Sequence, residues 1–66
     1  MNILLNGEPK TLPTGTTAAQ LIEMLQLGDK RLALEINEEI LPRSRYGDRA
    51  IQCNDRIEIV HAVGGG

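Results

Sequence analysis

One cysteine, Cys53, and one histidine, His61, are spread over 66 residues. A single cysteine closes no disulfide framework. Together the two supply too few ligands for a closed zinc site. Tyr46 is the sole aromatic side chain, so the chain has no platform on which nucleobases could stack. The formal net charge is -2 and the seven basic residues are scattered, which is not the electrostatic footprint of a nucleic-acid binder. No apolar run approaches the roughly 18 residues of a membrane span. No basic stretch leads into an apolar segment as a secretory signal would. An unpaired cysteine then fits a reducing cytoplasm. The expectation is a cytoplasmic protein that engages neither nucleic acid nor membrane.

What is present is a thin aliphatic core. A chain this short buries only about 60% of its unfolded surface, and Leu, Ile, Val and Ala must supply it. Ile3, Leu4 and Leu5 form a short apolar run followed by Asn6-Gly7, the strongest two-residue hairpin signal. The return strand runs from Glu8 to Leu12, and Pro9 suggests an edge position. Pro13, Thr14 and Gly15 make a turn. Thr17 with Gln20 three residues on is a capping box, and Ala18, Leu21, Ile22 and Leu25 form one helical stripe. The helix is expected from Thr17 to about Leu27, with Gly28 as its stop.

Leu32, Leu34 and Ile36 alternate with Ala33 and Glu35, the pattern of a half-buried strand. Asn37-Glu38 is a turn, Ile40-Leu41 a short strand stopped by Pro42, and Arg43 to Asp48 an irregular polar stretch. Arg43 and Arg45 read there as solvated. Ala50 to Gln52 is a further short extended piece, Asn54-Asp55 a turn, and Arg56 to about Val63 the last strand. One helix covers one sheet face, giving an α+β two-layer domain with a mixed sheet of four to five strands. The last strand is expected to lie parallel beside the first.

The chain closes on Val63-Gly64-Gly65-Gly66. Glycine has no Cβ and enters backbone conformations and narrow clefts closed to other residues. Three extended residues reach about 10 Å. One reading is a frayed end; the other is a slender arm that delivers a carboxylate into another protein's active site. The division expected is a folded domain over 1–63 and a flexible tail over 64–66. In the last strand Ile57, Ile59 and His61 point one way, and Glu58, Val60 and Ala62 the other. Val60 and Ala62 then lie on the less covered face, either as a docking patch or packed against a loop. Cys53 reads as an inert packing residue, and His61, lacking an orienting partner, as a surface or interface residue.

The hairpin, helix, sheet and Gly-Gly end together resemble a ubiquitin-like β-grasp sulfur carrier, most closely the ThiS family of thiamine biosynthesis. The resemblance is carried by Met1-Asn2-Ile3-Leu4-Leu5-Asn6-Gly7-Glu8, by the run from Ala33 to Arg43, by Asn54 to Val60 and by Val63-Gly64-Gly65-Gly66. Asn54 stands where the family often has glycine.

The resemblance implies a protein cosubstrate, not an enzyme. An E1-like, ThiF-like adenylyltransferase would use ATP and magnesium to adenylate the terminal carboxylate. No cofactor would reside on the carrier itself. Sulfur from a cysteine desulfurase system would displace AMP, and a ThiG-like thiazole synthase would consume the resulting thiocarboxylate. Gly66 would bear the sulfur, Gly65 would be its threaded companion and Gly64 an added flexible link. Two other readings stay open: the small subunit of molybdopterin synthase, which is usually longer and richer in aromatics, and a ubiquitin-like modifier joined to lysines through Gly66. A plain interaction module with an incidental tail is a third.

Overall fold

Asn6 and Gly7 both have positive φ, 50° and 83°, and turn the chain back on itself as a two-residue hairpin requires. This joins β1 (Asn2–Leu5) to β2 (Glu8–Thr11) with Leu5 opposite Glu8. The computed structural model describes residues 1–28 and 30–61, with the backbone alone at His61. After β2 come helix α1 (Ala18–Met24), β3 (Leu32–Ile36), β4 (Glu39–Leu41), a 3₁₀ turn (Arg43–Arg45) and β5 (Arg56–His61). The five strands lie in the order β2-β1-β5-β3-β4. The central β5 runs parallel to β1 and antiparallel to β3. Pro9 sits on edge strand β2, where its missing N–H costs no ladder bond. This is the expected α+β architecture, a mixed sheet with one main helix.

The helix begins as its sequence dictates. The Gln20 N–H donates to Thr17 Oγ1 at 3.2 Å, and the Thr17 N–H donates to Gln20 Oε1 at 2.9 Å. Its end corrects the expectation. The helix stops at Met24, and Gln26, not Gly28, takes the left-handed conformation with φ 60°. The Leu27 N–H reaches the Ile22 carbonyl and the Gln26 N–H the Glu23 carbonyl, both at 3.0 Å, the pair of bonds of a Schellman close. Leu27 packs against the core, which secures a left-handed position without glycine.

Ala18, Leu21 and Ile22 of the helix meet Ile3, Leu34, Ile36, Ile57 and Ile59 of the sheet. Leu12, Tyr46 and Ile51 complete the buried cluster from connecting segments. Ala50 to Gln52 is not a strand: Ala50 makes an isolated bridge to Thr17, and the Ile51 N–H donates to the Thr16 carbonyl at 2.9 Å. The segment is pinned to the helix entrance instead of the sheet edge. Among the described residues no helix is long and apolar enough to cross a membrane.

Candidate functional site

The strand that leads towards the glycine tail occupies the middle of the sheet, and its alternation assigns its two faces different environments. Ile57 and Ile59 are 1% and 7% exposed and belong to the core. Val60 is 69% exposed, on the face that the helix leaves open. The register places it opposite Ala33, Glu58 opposite Glu35, and Glu35 opposite Ile40 on the other side. Leu4 lies beside Arg56 through the parallel pairing. The open face therefore carries Leu4, Val60, Ala33 and the 74% exposed Ile40 around two facing glutamates. Like charges directly opposite destabilise a sheet by a few tenths of a kcal/mol or more, and Arg56 lies on the same face two residues before Glu58. Ala62, Gly64, Gly65 and Gly66 lie outside the described residues, as does the boundary at residue 63.

Two asparagines hold β5, and both read in the sequence only as turn formers. Asn6 closes the first hairpin. Its N–H donates to the Ile57 carbonyl, and its Oδ1 accepts from the Ile59 N–H, each at 2.8 Å. Asn37 sits in the second hairpin with φ 53°. Its N–H donates to the Arg56 carbonyl at 2.8 Å and its Oδ1 accepts from the Arg56 N–H at 2.9 Å. The Asn37 amide also donates to Asp55 Oδ1 at 3.0 Å. Asp55 is only 6% exposed. Its second oxygen accepts from the Gln52 N–H at 2.8 Å and lies 3.4 Å from the Arg49 guanidinium. A buried carboxylate is tolerated here because each oxygen has a donor. Asn54 has φ 69°. Asparagine is one of the few residues other than glycine that takes this left-handed backbone readily.

Cys53 corrects the sequence reading, because it is exposed and not packed. It lies in the turn between Gln52 and Asp55, where the chain reverses at the surface. Among the described residues there is no group of three or more histidine, cysteine, aspartate and glutamate side chains able to hold a metal.

The ThiS family pattern matches residues 3–66. The sulfur carrier protein ThiS of Bacillus subtilis is 40% identical over 63 residues, covering 94% of this chain and 96% of the relative. A thiazole synthase of Magnetococcus marinus is 41% identical over 66 residues, and the chain spans 20% of that protein's length. The crystal structure of the thiamine biosynthesis protein ThiS from Geobacter metallireducens superposes with a TM-score of 0.85 at 26% identity, covering both chains completely. By the match over nearly its whole length and by its β-grasp architecture, the chain belongs to the ThiS family.

Proposed function

We propose that this chain is a sulfur carrier of thiamine biosynthesis, a cosubstrate with no catalytic residues of its own, whose reacting group is the Gly66 carboxylate. The observation that carries the reading is family membership across residues 3–66, which include the three glycines. A carboxylate is a poor electrophile. An E1-like adenylyltransferase, using ATP and magnesium, would join it to AMP and release pyrophosphate. The terminal sulfur of a protein persulfide, charged by a cysteine desulfurase, would attack the acyl carbon and expel AMP. A thiol would then cleave the S–S bond and leave the thiocarboxylate, which thiazole synthase consumes. Positioning a carboxylate at the α-phosphate is worth up to roughly 7–11 kcal/mol of barrier. Gly65 and Gly64 suit that task, because a chain without Cβ atoms threads a channel too narrow for side chains.

The same reading gives the open face of the sheet a purpose. Val60, with Ala62 beyond it, would dock on the activating enzyme together with Ala33 and Ile40. Glu35 and Glu58 oppose each other in the free protein, and basic groups on the partner would relieve that repulsion while fixing the register of docking.

The test is intact mass after incubation with ATP, an E1-like enzyme and a sulfur source. Exchange of the terminal oxygen for sulfur adds about 16 Da through the activated acyl group. A variant extended by several residues past Gly66 should gain nothing. If the extended chain is sulfurated as well as the original without being trimmed, the carboxylate is not the reacting group, and a plain binding module is the better account.

A further inference from the structure

The ladder between β1 and β5 is completed by a side chain. The Leu4 N–H donates to the Asp55 carbonyl at 3.0 Å, and the Asn6 N–H to the Ile57 carbonyl at 2.8 Å. In a parallel pair the next rung runs from the Ile59 N–H back to the Asn6 backbone carbonyl. At Asn6 the chain turns into β2 with φ 50°, so that carbonyl leaves the ladder. Asn6 Oδ1 takes its place and accepts from the Ile59 N–H at 2.8 Å, across 53 residues of sequence. An Asn-Gly turn needs only the left-handed backbone, which glycine or aspartate would also supply. The long-range bond to β5 is an additional role.

Beyond this rung the described part of β5 is paired on its β3 side, where Leu32 lies opposite His61. The Asn6 bond is thus the last two-sided anchor before residues 62–66. We infer that Asn6 is a positioning residue for the carrier's reaction: its side-chain oxygen holds β5 at Ile59, on the strand that leads towards the reacting terminus. This rests on the sulfur-carrier reading, in which the tail must enter a partner's active site. Asn6 acts through the backbone of β5. Its loss leaves Ile59, Val60 and His61 held on the β3 side alone, and the added freedom must be given up again on docking.

Asn6→Gly and Asn6→Asp separate this role from the turn. Glycine keeps the left-handed turn and deletes the acceptor; aspartate keeps both. Native-state hydrogen exchange at the Ile59 amide, ¹⁵N relaxation at Val60 and His61, and ATP–pyrophosphate exchange with an E1-like adenylyltransferase are measured well below the melting temperature. In Asn6→Gly the Ile59 amide exchanges faster, Val60 and His61 gain motion, and KM for the carrier rises about five- to tenfold with kcat nearly unchanged, as expected when the folded carrier must order about one more residue to dock. Asn6→Asp restores all three. An Asn6→Gly protein that exchanges Ile59 quickly yet keeps the original KM overturns the inference, as does a folded Asn6→Asp protein that fails to rescue. If the unaltered chain supports no pyrophosphate exchange, the sulfur-carrier reading fails instead. Unchanged motion at Val60 and His61 in Asn6→Gly would then overturn the anchoring role on its own.

Discussion

Replacing Val60 with aspartate should cost much more in docking than in folding, and the structure sets both magnitudes. Full burial of a valine side chain is worth about 1.5–3 kcal/mol. At 69% exposure the free protein realises only about a third of that, so deleting the methyl groups costs about 0.5–1 kcal/mol. The new carboxylate would stand on the same face as Glu58 and diagonal to Glu35, adding a few tenths of a kcal/mol of repulsion. Aspartate's poor fit to a strand adds less than about 1 kcal/mol. The sum is about 1–2 kcal/mol, which the fold should survive. In a complex that buries position 60, the methyl burial is lost in full and a carboxylate is desolvated beside two others. The affinity for the activating enzyme should fall by at least about 30-fold, or 2 kcal/mol.

The informative control is Ile59→Val, one residue away on the opposite face. Ile59 is 7% exposed, and trimming a buried isoleucine to valine costs about 0.5–1.5 kcal/mol. The two variants are therefore closely matched in stability and differ in which face they alter. Urea unfolding gives the stabilities, and titration calorimetry with the adenylyltransferase gives the affinities. Val60→Asp should bind weakly and Ile59→Val normally. A Val60→Asp protein that loses more than about 3 kcal/mol of stability, as a core lesion would, while binding normally would show that the open face serves packing and not docking.

Two further substitutions probe what holds β5 in place. Asp55→Ala removes the acceptor for the Asn37 amide, the Gln52 N–H and the Arg49 guanidinium. With hydrogen bonds to a charged group worth about 1.5–3 kcal/mol each and partly replaced by water, the expected loss in urea unfolding is about 2–4 kcal/mol; a loss below 0.5 kcal/mol, the ordinary surface value, would refute it. Glu38→Gly should stabilise, because Glu38 holds φ 71°, a conformation that costs an L-residue about 1–2 kcal/mol. Set against the added freedom of the unfolded chain, the net gain is about 0.5 kcal/mol. The exposed Arg56–Glu38 pair at 3.6 Å contributes too little to reverse the sign, and a measured destabilisation would show that it does.

The features legible in the sequence are those set by neighbours in the chain. Asn6-Gly7, the Thr17–Gln20 capping box and the alternation of Ile57 and Ile59 each work within a few residues, and each stands in the structure as its residue types require. The helix end was less legible, because the left-handed residue is Gln26; a partly buried Leu27 packed against the core compensates for the missing glycine, and such packing is not a local property. Tyr46 and Ile51 lie in segments that read as irregular or extended, yet both are buried against the helix and sheet. The bonds from Asn6 and Asn37 to β5 span 53 and 19 residues. Nothing in either dipeptide announces such a partner. A weak signal did exist: both hairpin turns open with asparagine, the residue that can take a left-handed backbone and still offer an amide.

That pattern connects the fold to the proposed chemistry. A carrier of the proposed kind, with its reacting group at the end of a terminal arm, would have to resolve a conflict. The arm needs freedom to enter a partner's active site, and each unconstrained residue adds about 1–2 kcal/mol of entropy to the cost of docking. The conflict is least severe when the arm is short and its root is rigid. Here the root is the central strand, paired on both sides, with an asparagine clip at Arg56 and another at Ile59. Its inward side chains Ile57 and Ile59 are committed to the core, and outward-facing Val60 is exposed. Substitutions on β5 and at its anchor should therefore separate into three kinds: those at Ile57 and Ile59 that lower stability, those at Glu58 and Val60 that impair docking, and those at Asn6, in the β1–β2 turn, that loosen the root while sparing both faces.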